Sequence, residues 1–203
     1  MKGPDFEKAK QYALKRLERE LPTELTYHSM EHTRDDVVPA TERLAAMEGI
    51  KGEDLLLLRT AALYHDIGFI EQPDDHESVS VRMVCKILPG FGYTPAQIQV
   101  ISDIILATKL SQSPNTLLEK IMVDADVDSL GRDDFLAQSD RLRAEIESFG
   151  KVHTDEEWYR VQIDFLKAHS YNTDSAKALR NAGKERNIEK LYMLLAEIQR
   201  CGN

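Results

Sequence analysis

Histidines and carboxylates in apolar surroundings are the residues of this sequence that are best placed to do chemistry. The doublet His65-Asp66 ends the most apolar stretch of the chain, which begins at Glu53 and includes four consecutive leucines. An ionised carboxylate in such a place is costly unless it is paired, hydrogen-bonded or bound to a metal ion. The doublet is therefore a candidate for one side of a metal or catalytic site.

A second candidate pair is formed by His28 and His32, which are four residues apart. On a helix this spacing puts both imidazoles on the same side, so that two histidines can reach one site. The spacing alone fits equally well with two histidines on an exposed helix face, and both interpretations stay open at this point.

The third group consists of Asp124, Asp126 and Asp128. A calcium loop would need glycine and glutamate where the chain has Ser129 and Phe135, so this motif is excluded. The apolar residues before the cluster indicate that one carboxylate, most naturally that of Asp126, is directed inward. The other two carboxylates are expected to support neighbouring groups or to cap helices.

The elements that must position these residues are all helical in the sequence pattern. Apolar residues recur at steps of three and four, which is typical of amphipathic helices, and no hairpin signal or internal repeat is present. Pro39 should bend the second helix. The fold class is predicted to be all-α, a compact single domain of eight or nine helices spanning residues 1–203. The predicted helices cover about 5–21, 27–47, 53–65, 76–88, 95–109, 117–127, 133–149, 154–169 and 174–200.

Composition and charge exclude several classes of protein. The 203 residues include 26 Lys and Arg against 35 Asp and Glu, a net charge of −9, which argues against nucleic acid as a partner. The longest purely apolar run, Leu55 to Leu58, is too short to cross a membrane. Two cysteines outside any CxxC pattern and a polar first segment without an apolar core indicate a cytoplasmic protein.

Three segments together resemble the motifs of the HD superfamily of metal-dependent phosphohydrolases. These segments are Tyr27–Thr33, Ala61–Gly68, and Asp124 to Asp126 followed by Gly131. The resemblance covers about residues 25–135, and residues 136–203 are expected to complete the same helical domain. It implies an all-helical fold in which one divalent metal is bound by His32, His65, Asp66 and Asp126.

A site of two imidazoles and two carboxylates suits Mn²⁺, Mg²⁺, Fe²⁺, Co²⁺, Ni²⁺ or Zn²⁺. With coordination positions left open, such a metal can hold water and a phosphate oxygen together, which is the chemistry of phosphoester hydrolysis. The expected function is a phosphohydrolase acting on a small phosphorylated metabolite, most naturally a nucleotide. The alternative is a regulatory module that keeps the metal without efficient turnover. A single metal is expected because residues 100–113 lack the extra histidines of dinuclear relatives.

Four further residues are candidates for catalysis or substrate binding. The resemblance implies that His28 donates a proton or hydrogen-bonds phosphate, and that His76 or Glu77 contacts substrate, water or a second metal. Glu77 could equally be an ordinary acidic residue in a first helical turn. Lys109, placed at a helix end, could clamp a phosphate oxygen or merely favour the helix dipole. Packing roles without chemistry are expected for His153, His169, Trp158, Cys85 and Cys201.

Overall fold

A computed structural model of the protein describes residues 3–109 and 111–201, except for the side chain of Cys201. Within these ranges the chain forms nine α-helices and no β-strand, which confirms the all-α prediction. The helices are α1 (Phe6–Glu20), α2 (Val38–Met47), α3 (Gly52–Tyr64), α4 (His76–Ile87), α5 (Pro95–Leu106), α6 (Leu117–Asp126), α7 (Phe135–Ser148), α8 (Asp155–Ala168) and α9 (Asp174–Cys201).

Three helix starts are stabilised by reciprocal hydrogen bonds with a threonine. Thr94, Thr116 and Thr154 each accept a hydrogen bond from the third residue of the following helix, and the side chain of that residue bonds back to the cap. This reciprocal arrangement satisfies backbone N–H groups that would otherwise lack a partner at the helix start. Three short 3₁₀ segments join other helices, at Ile67–Ile70, Leu88–Phe91 and Asp128–Gly131.

The helix predicted for residues 27–47 begins later than expected and changes its register. Residues 27–29 are bends, and the segment His32–Val37 is a π-helix that runs directly into α2. Pro39 has no N–H to donate, and just before it Val38 N–H bonds to Thr33 O, five residues back. The disturbance expected at Pro39 is thus a wider turn, and His28 lies outside the helix that carries His32.

Helix α5 also ends earlier than predicted. Its last residue is Leu106, and the predicted helix end at Lys109 is therefore wrong. Ala107 N–H bonds to Asp103 O and Thr108 N–H to Ile105 O, so the chain leaves the helix through a tight turn. Lys109 thus lies in a loop, and a favourable contact with the helix dipole does not explain its position.

Two apolar clusters make up the interior of the described chain. The larger cluster surrounds α3, whose residues Leu58, Ala61 and Ala62 are fully buried, and includes residues from α1 to α6. The smaller one lies between the 3₁₀ segment Asp128–Gly131, α7, α8 and α9. A single domain over residues 1–203 stays a prediction.

Close backbone packing and ion pairs connect the two clusters. Arg180 on α9 donates two hydrogen bonds to Asp128, at 2.7 and 2.8 Å. A Cβ atom added at Gly183 would lie 1.9 Å from the carbonyl oxygen of Gly131. Only glycine permits α9 to approach the segment after α6 so closely.

Two minor predictions can be compared with the fold. No helix in the described ranges is long and apolar enough to cross a lipid bilayer. Cys85 is a free, exposed thiol, whereas the side chain of Cys201 lies outside the described residues.

Candidate metal centre

Four side chains from three elements converge at one place in the fold. His32 comes from the π-helical segment, His65 and Asp66 follow α3, and Asp126 ends α6. The Nε2 atoms of His32 and His65 each lie 3.3 Å from Asp126 Oδ1, and they lie 3.8 and 3.1 Å from Asp66 Oδ2. The residues predicted from widely separated motifs are thus brought together.

The donor atoms are arranged as a cation requires. His65 Nδ1 lies 2.9 Å from the carbonyl oxygen of Ala62, and since a carbonyl only accepts, Nδ1 carries the proton. In the neutral ring, Nε2 then turns a lone pair toward the carboxylates. His65 Nε2 and Asp66 Oδ2 are both buried and make no hydrogen bond within the described residues. Ligand atoms of His32, His65 and Asp66 lie within 4.8 Å of one another, so this cluster could hold a metal ion.

The charges in the cluster depend on one another. Burial opposes ionisation of Asp66 and Asp126, but His65 and the other histidines outweigh it and keep the pKa of both carboxyls below the usual value. Burial likewise lowers the pKa of His65, while Asp66 and Asp126 raise it well above its usual value. A cation at this position would take over the neutralising role of the proton.

The turn after α3 is held in place by Ser80 of α4. Ser80 Oγ donates to His65 O at 2.6 Å and accepts from Gly68 N–H at 2.8 Å. A Cβ atom at Gly68 would lie 2.0 Å from the carbonyl oxygen of His76, so glycine is required where this turn passes the start of α4. These contacts orient the His65-Asp66 doublet toward the cluster.

His28 stands beside the cluster and is held by a residue that the sequence did not single out. Glu145, on α7, accepts hydrogen bonds from His28 Nδ1 at 2.5 Å and from the backbone N–H groups of Tyr27 and His28 at 2.8 and 2.9 Å. Glu145 is buried. No local motif predicts a role for Glu145. The one signal in the sequence is that this acidic residue stands among the apolar positions of the predicted helix 133–149.

His76 lies on the other side of Asp66. Its Nδ1 donates to Pro73 O at 3.2 Å, and its Nε2 lies 3.4 Å from Asp66 Oδ1 and 3.6 Å from Glu77 Oε1. The ring of Phe69 stacks on those of His76 and His28, with centroid distances of 3.9 and 4.5 Å, and the two imidazole rings lie 6.1 Å apart. Phe69 therefore packs against both histidines that flank the cluster.

Comparison with known proteins identifies the family. Residues 31–130 match the family described as HD domain. The chain therefore contains an HD domain. The match spans His32, His65, Asp66 and Asp126, and it leaves His28 and Glu145 outside.

One solved structure resembles the HD-domain protein over nearly its whole length. Bacillus subtilis YpgQ in complex with ADP is 18% identical, with a TM-score of 0.67, and the alignment covers 96% of this chain and 98% of that chain. At this identity the likeness shows the fold alone. No curated protein sequence matches the chain.

The remaining predicted residues of the HD-domain protein have partners away from the cluster. Lys109 Nζ donates to Asp75 and, at 2.8 Å, to Ser78. These contacts hold the ammonium at the start of α4, and a contact between Lys109 and phosphate stays a prediction. Asp124 accepts four hydrogen bonds from Asn172 and Thr173 ahead of α9, as expected for a supporting carboxylate.

A cavity of about 450 Å³ opens beside the cluster of the HD-domain protein. Asp66, Asp126 and His28 lie in its polar wall. A large, mainly apolar part of the remaining wall comes from α7 and α8, beyond the part of the chain that matches the family. These lining residues are Phe135, Gln138, Ser139, Leu142, Ile146, Trp158, Val161, Gln162 and Phe165. Residues 136–203 therefore contribute directly to the site. Trp158, predicted to have only a packing role, is buried and also lines the cavity.

Proposed function

We propose that this HD-domain protein is a divalent-metal-dependent phosphohydrolase that acts on a nucleotide. The observation that carries the proposal is the convergence of His32 Nε2, His65 Nε2 and oxygens of Asp66 and Asp126 at one wall of a substrate-sized cavity. Cavities of this size that combine an apolar lining with a few polar groups are typical of small-molecule sites.

The donor set fits one divalent metal held by His32, His65, Asp66 and Asp126. Two imidazole nitrogens and two carboxylates match the preferences of Mn²⁺, Mg²⁺, Fe²⁺, Co²⁺, Ni²⁺ and Zn²⁺. When bound, such an ion supplies a Lewis acid that neutralises phosphate charge and lowers the pKa of water. Hydrogen bonds from His65 to Ala62 O and from Ser80 to His65 O hold this ligand in position.

His28 is the proposed proton donor to the leaving oxygen. With Nδ1 bonded to Glu145, the ring has its Nε2 atom free to carry the transferred proton. Burial lowers the pKa of His28, but the bond to Glu145 and the nearby carboxylates outweigh burial and raise it above 6.5. His76 and Glu77, which share the cavity, are proposed to orient water or a phosphate oxygen.

A nucleotide is proposed as substrate because the cavity offers both a polar wall for phosphate and an apolar region for a base. The complex of YpgQ with ADP supports this choice only through the shared fold. We propose a cytoplasmic location as well, because nucleotides are present in the cytoplasm.

The decisive experiment measures phosphate release from nucleoside mono-, di- and triphosphates with each of the six metals, together with metal content. Wild type is expected to bind one metal and to hydrolyse at least one nucleotide. Asp66→Ala is expected to lose both metal and activity while keeping its helical content by circular dichroism. The matched control Asp74→Ala, in the exposed loop before α4, should retain both. A metal-loaded wild type without activity on the whole panel would favour a regulatory module instead.

A further inference from the structure

The apolar region of the cavity contains a polar side chain that is largely buried and makes no hydrogen bond to another described side chain. Gln162, on α8, is 6% exposed and lines the cavity. Its neighbours in the cavity wall, Trp158 and Phe165, have no hydrogen-bond acceptor in their side chains, and the indole N–H of Trp158 already donates to Ser139 Oγ at 3.0 Å.

A carboxamide presents a carbonyl acceptor beside an N–H donor. A ligand that fills the cavity removes water from this amide, which is costly unless the ligand brings a complementary donor and acceptor to the same place. Gln138 does not compete for this role, since its amide already donates to Asp134 at 3.2 Å.

The walls around Gln162 indicate the shape of that ligand. Aromatic and branched side chains of α7 and α8 favour a flat apolar ring over a heavily hydrated sugar. A heterocyclic base joins a flat ring to an edge of adjacent donors and acceptors, as in the pairing of glutamine with adenine.

We propose that Gln162 reads the hydrogen-bonding edge of the substrate's base, so that this protein selects substrates by an amino-bearing heterocycle and not by phosphate alone. The proposal rests on the proposed nucleotide class and adds the residue that determines specificity. An alkyl or prenyl phosphate is the competing ligand for an apolar cavity. It would leave the carboxamide of Gln162 unpaired and is disfavoured for that reason.

Trp158 makes the test possible without turnover. It is the only tryptophan of the chain and lines the cavity, so its fluorescence reports on a base that stacks there. The metal-depleted protein is titrated with adenosine 5′-monophosphate, with the 5′-monophosphate of purine riboside, which lacks the amino group, with ribose 5-phosphate and with decyl phosphate.

The adenine nucleotide is expected to quench Trp158 and to bind about tenfold more tightly than the purine analogue, the effect of one lost hydrogen bond. Ribose 5-phosphate should leave the fluorescence unchanged. In Gln162→Leu the two purine nucleotides should bind equally, whereas the control Gln99→Leu, an exposed glutamine of α5, should keep the difference.

Equal affinity of the two purine nucleotides in wild type would overturn the proposal even if the variant failed to fold. Tighter binding of decyl phosphate than of the adenine nucleotide would do so as well. Because no metal is present, these results are independent of hydrolysis. Phosphate release from p-nitrophenyl phosphate by the metal-loaded wild type separately tests the proposed function. Failure of the proposed role of Gln162 is therefore distinguishable from failure of the proposed phosphohydrolase activity.

Discussion

Glu145 and His28 are 117 residues apart in sequence, and their side chains are joined by a 2.5 Å contact between Oε1 and Nδ1. The same carboxylate also accepts both backbone N–H groups of Tyr27 and His28. Helix α7, outside the part that matches the HD domain, therefore fixes the side chain proposed as proton donor. This contact makes Glu145 a positioning residue for His28.

Replacing Glu145 with glutamine should lower kcat by about tenfold to a hundredfold, because a positioned proton donor contributes at least this much. KM and metal content should change little. Since the carboxylate helps to raise the pKa of His28, its loss should lower that pKa, and activity that needs protonated His28 should then disappear at a lower pH. The control is Glu147→Gln, which lies two residues further along α7 and is paired with Arg143. Loss of metal in Glu145→Gln would contradict a role through His28.

Removing the metal should lower the melting temperature of the wild-type protein. Asp66 and Asp126 face the same buried point, and a cation bound only by the native state stabilises it by about 2.7 kcal/mol at a concentration one hundred times Kd. Melting is measured with a chelator and with added Mn²⁺. The midpoint of Asp66→Ala should not respond to Mn²⁺, and a wild type that is equally insensitive would contradict the assigned ligands.

Gly183→Ala should destabilise the protein by about 1–3 kcal/mol, since the added methyl group would meet the backbone of Gly131. The sign is informative, because the same change inside a helix ordinarily stabilises by about 1 kcal/mol. Gly90→Ala is the control, because no atom lies within 4 Å of a Cβ at that position. Urea denaturation of both variants measures the change, and a stabilised Gly183→Ala would show that α9 can move away from Gly131.

Stability should fall as the pH drops from about 6.5 toward 4 because of His169. Burial first, and then Lys184, lower the pKa of His169 in the folded protein to about 4. Between pH 4 and about 6.5 the unfolded chain binds a proton at His169 more readily than the folded protein does. The contribution of neutral His169 to stability is therefore complete above about pH 6.5 and is lost on acidification. Urea unfolding at pH 7 and pH 5 should show a smaller difference for His169→Gln than for wild type. An unchanged difference would exclude His169 as the cause, and His153→Gln serves as the control.

Local patterns in the sequence predicted the all-helical fold, and the family resemblance supplied the four predicted metal ligands. Helix periodicity and threonine caps are local signals, since they depend on residues three or four apart. The doublet His65-Asp66 was recognisable because a carboxylate after an apolar helix needs compensation, and the motifs around His32 and Asp126 completed the set.

Tertiary structure decided the partners of those residues and the shape of the cavity. The contact of Glu145 with His28, the pairing of Lys109 with Asp75 and the buried carboxamide of Gln162 depend on how α7, α8 and the loops pack against the rest. Such contacts join residues that are distant in sequence, and their geometry depends on helix crossings and loop paths. The π-helical turn before Pro39 shows the same limit locally. Pro39 predicted a disturbance of the helix, and only the structure shows that it takes the form of a π-helical turn.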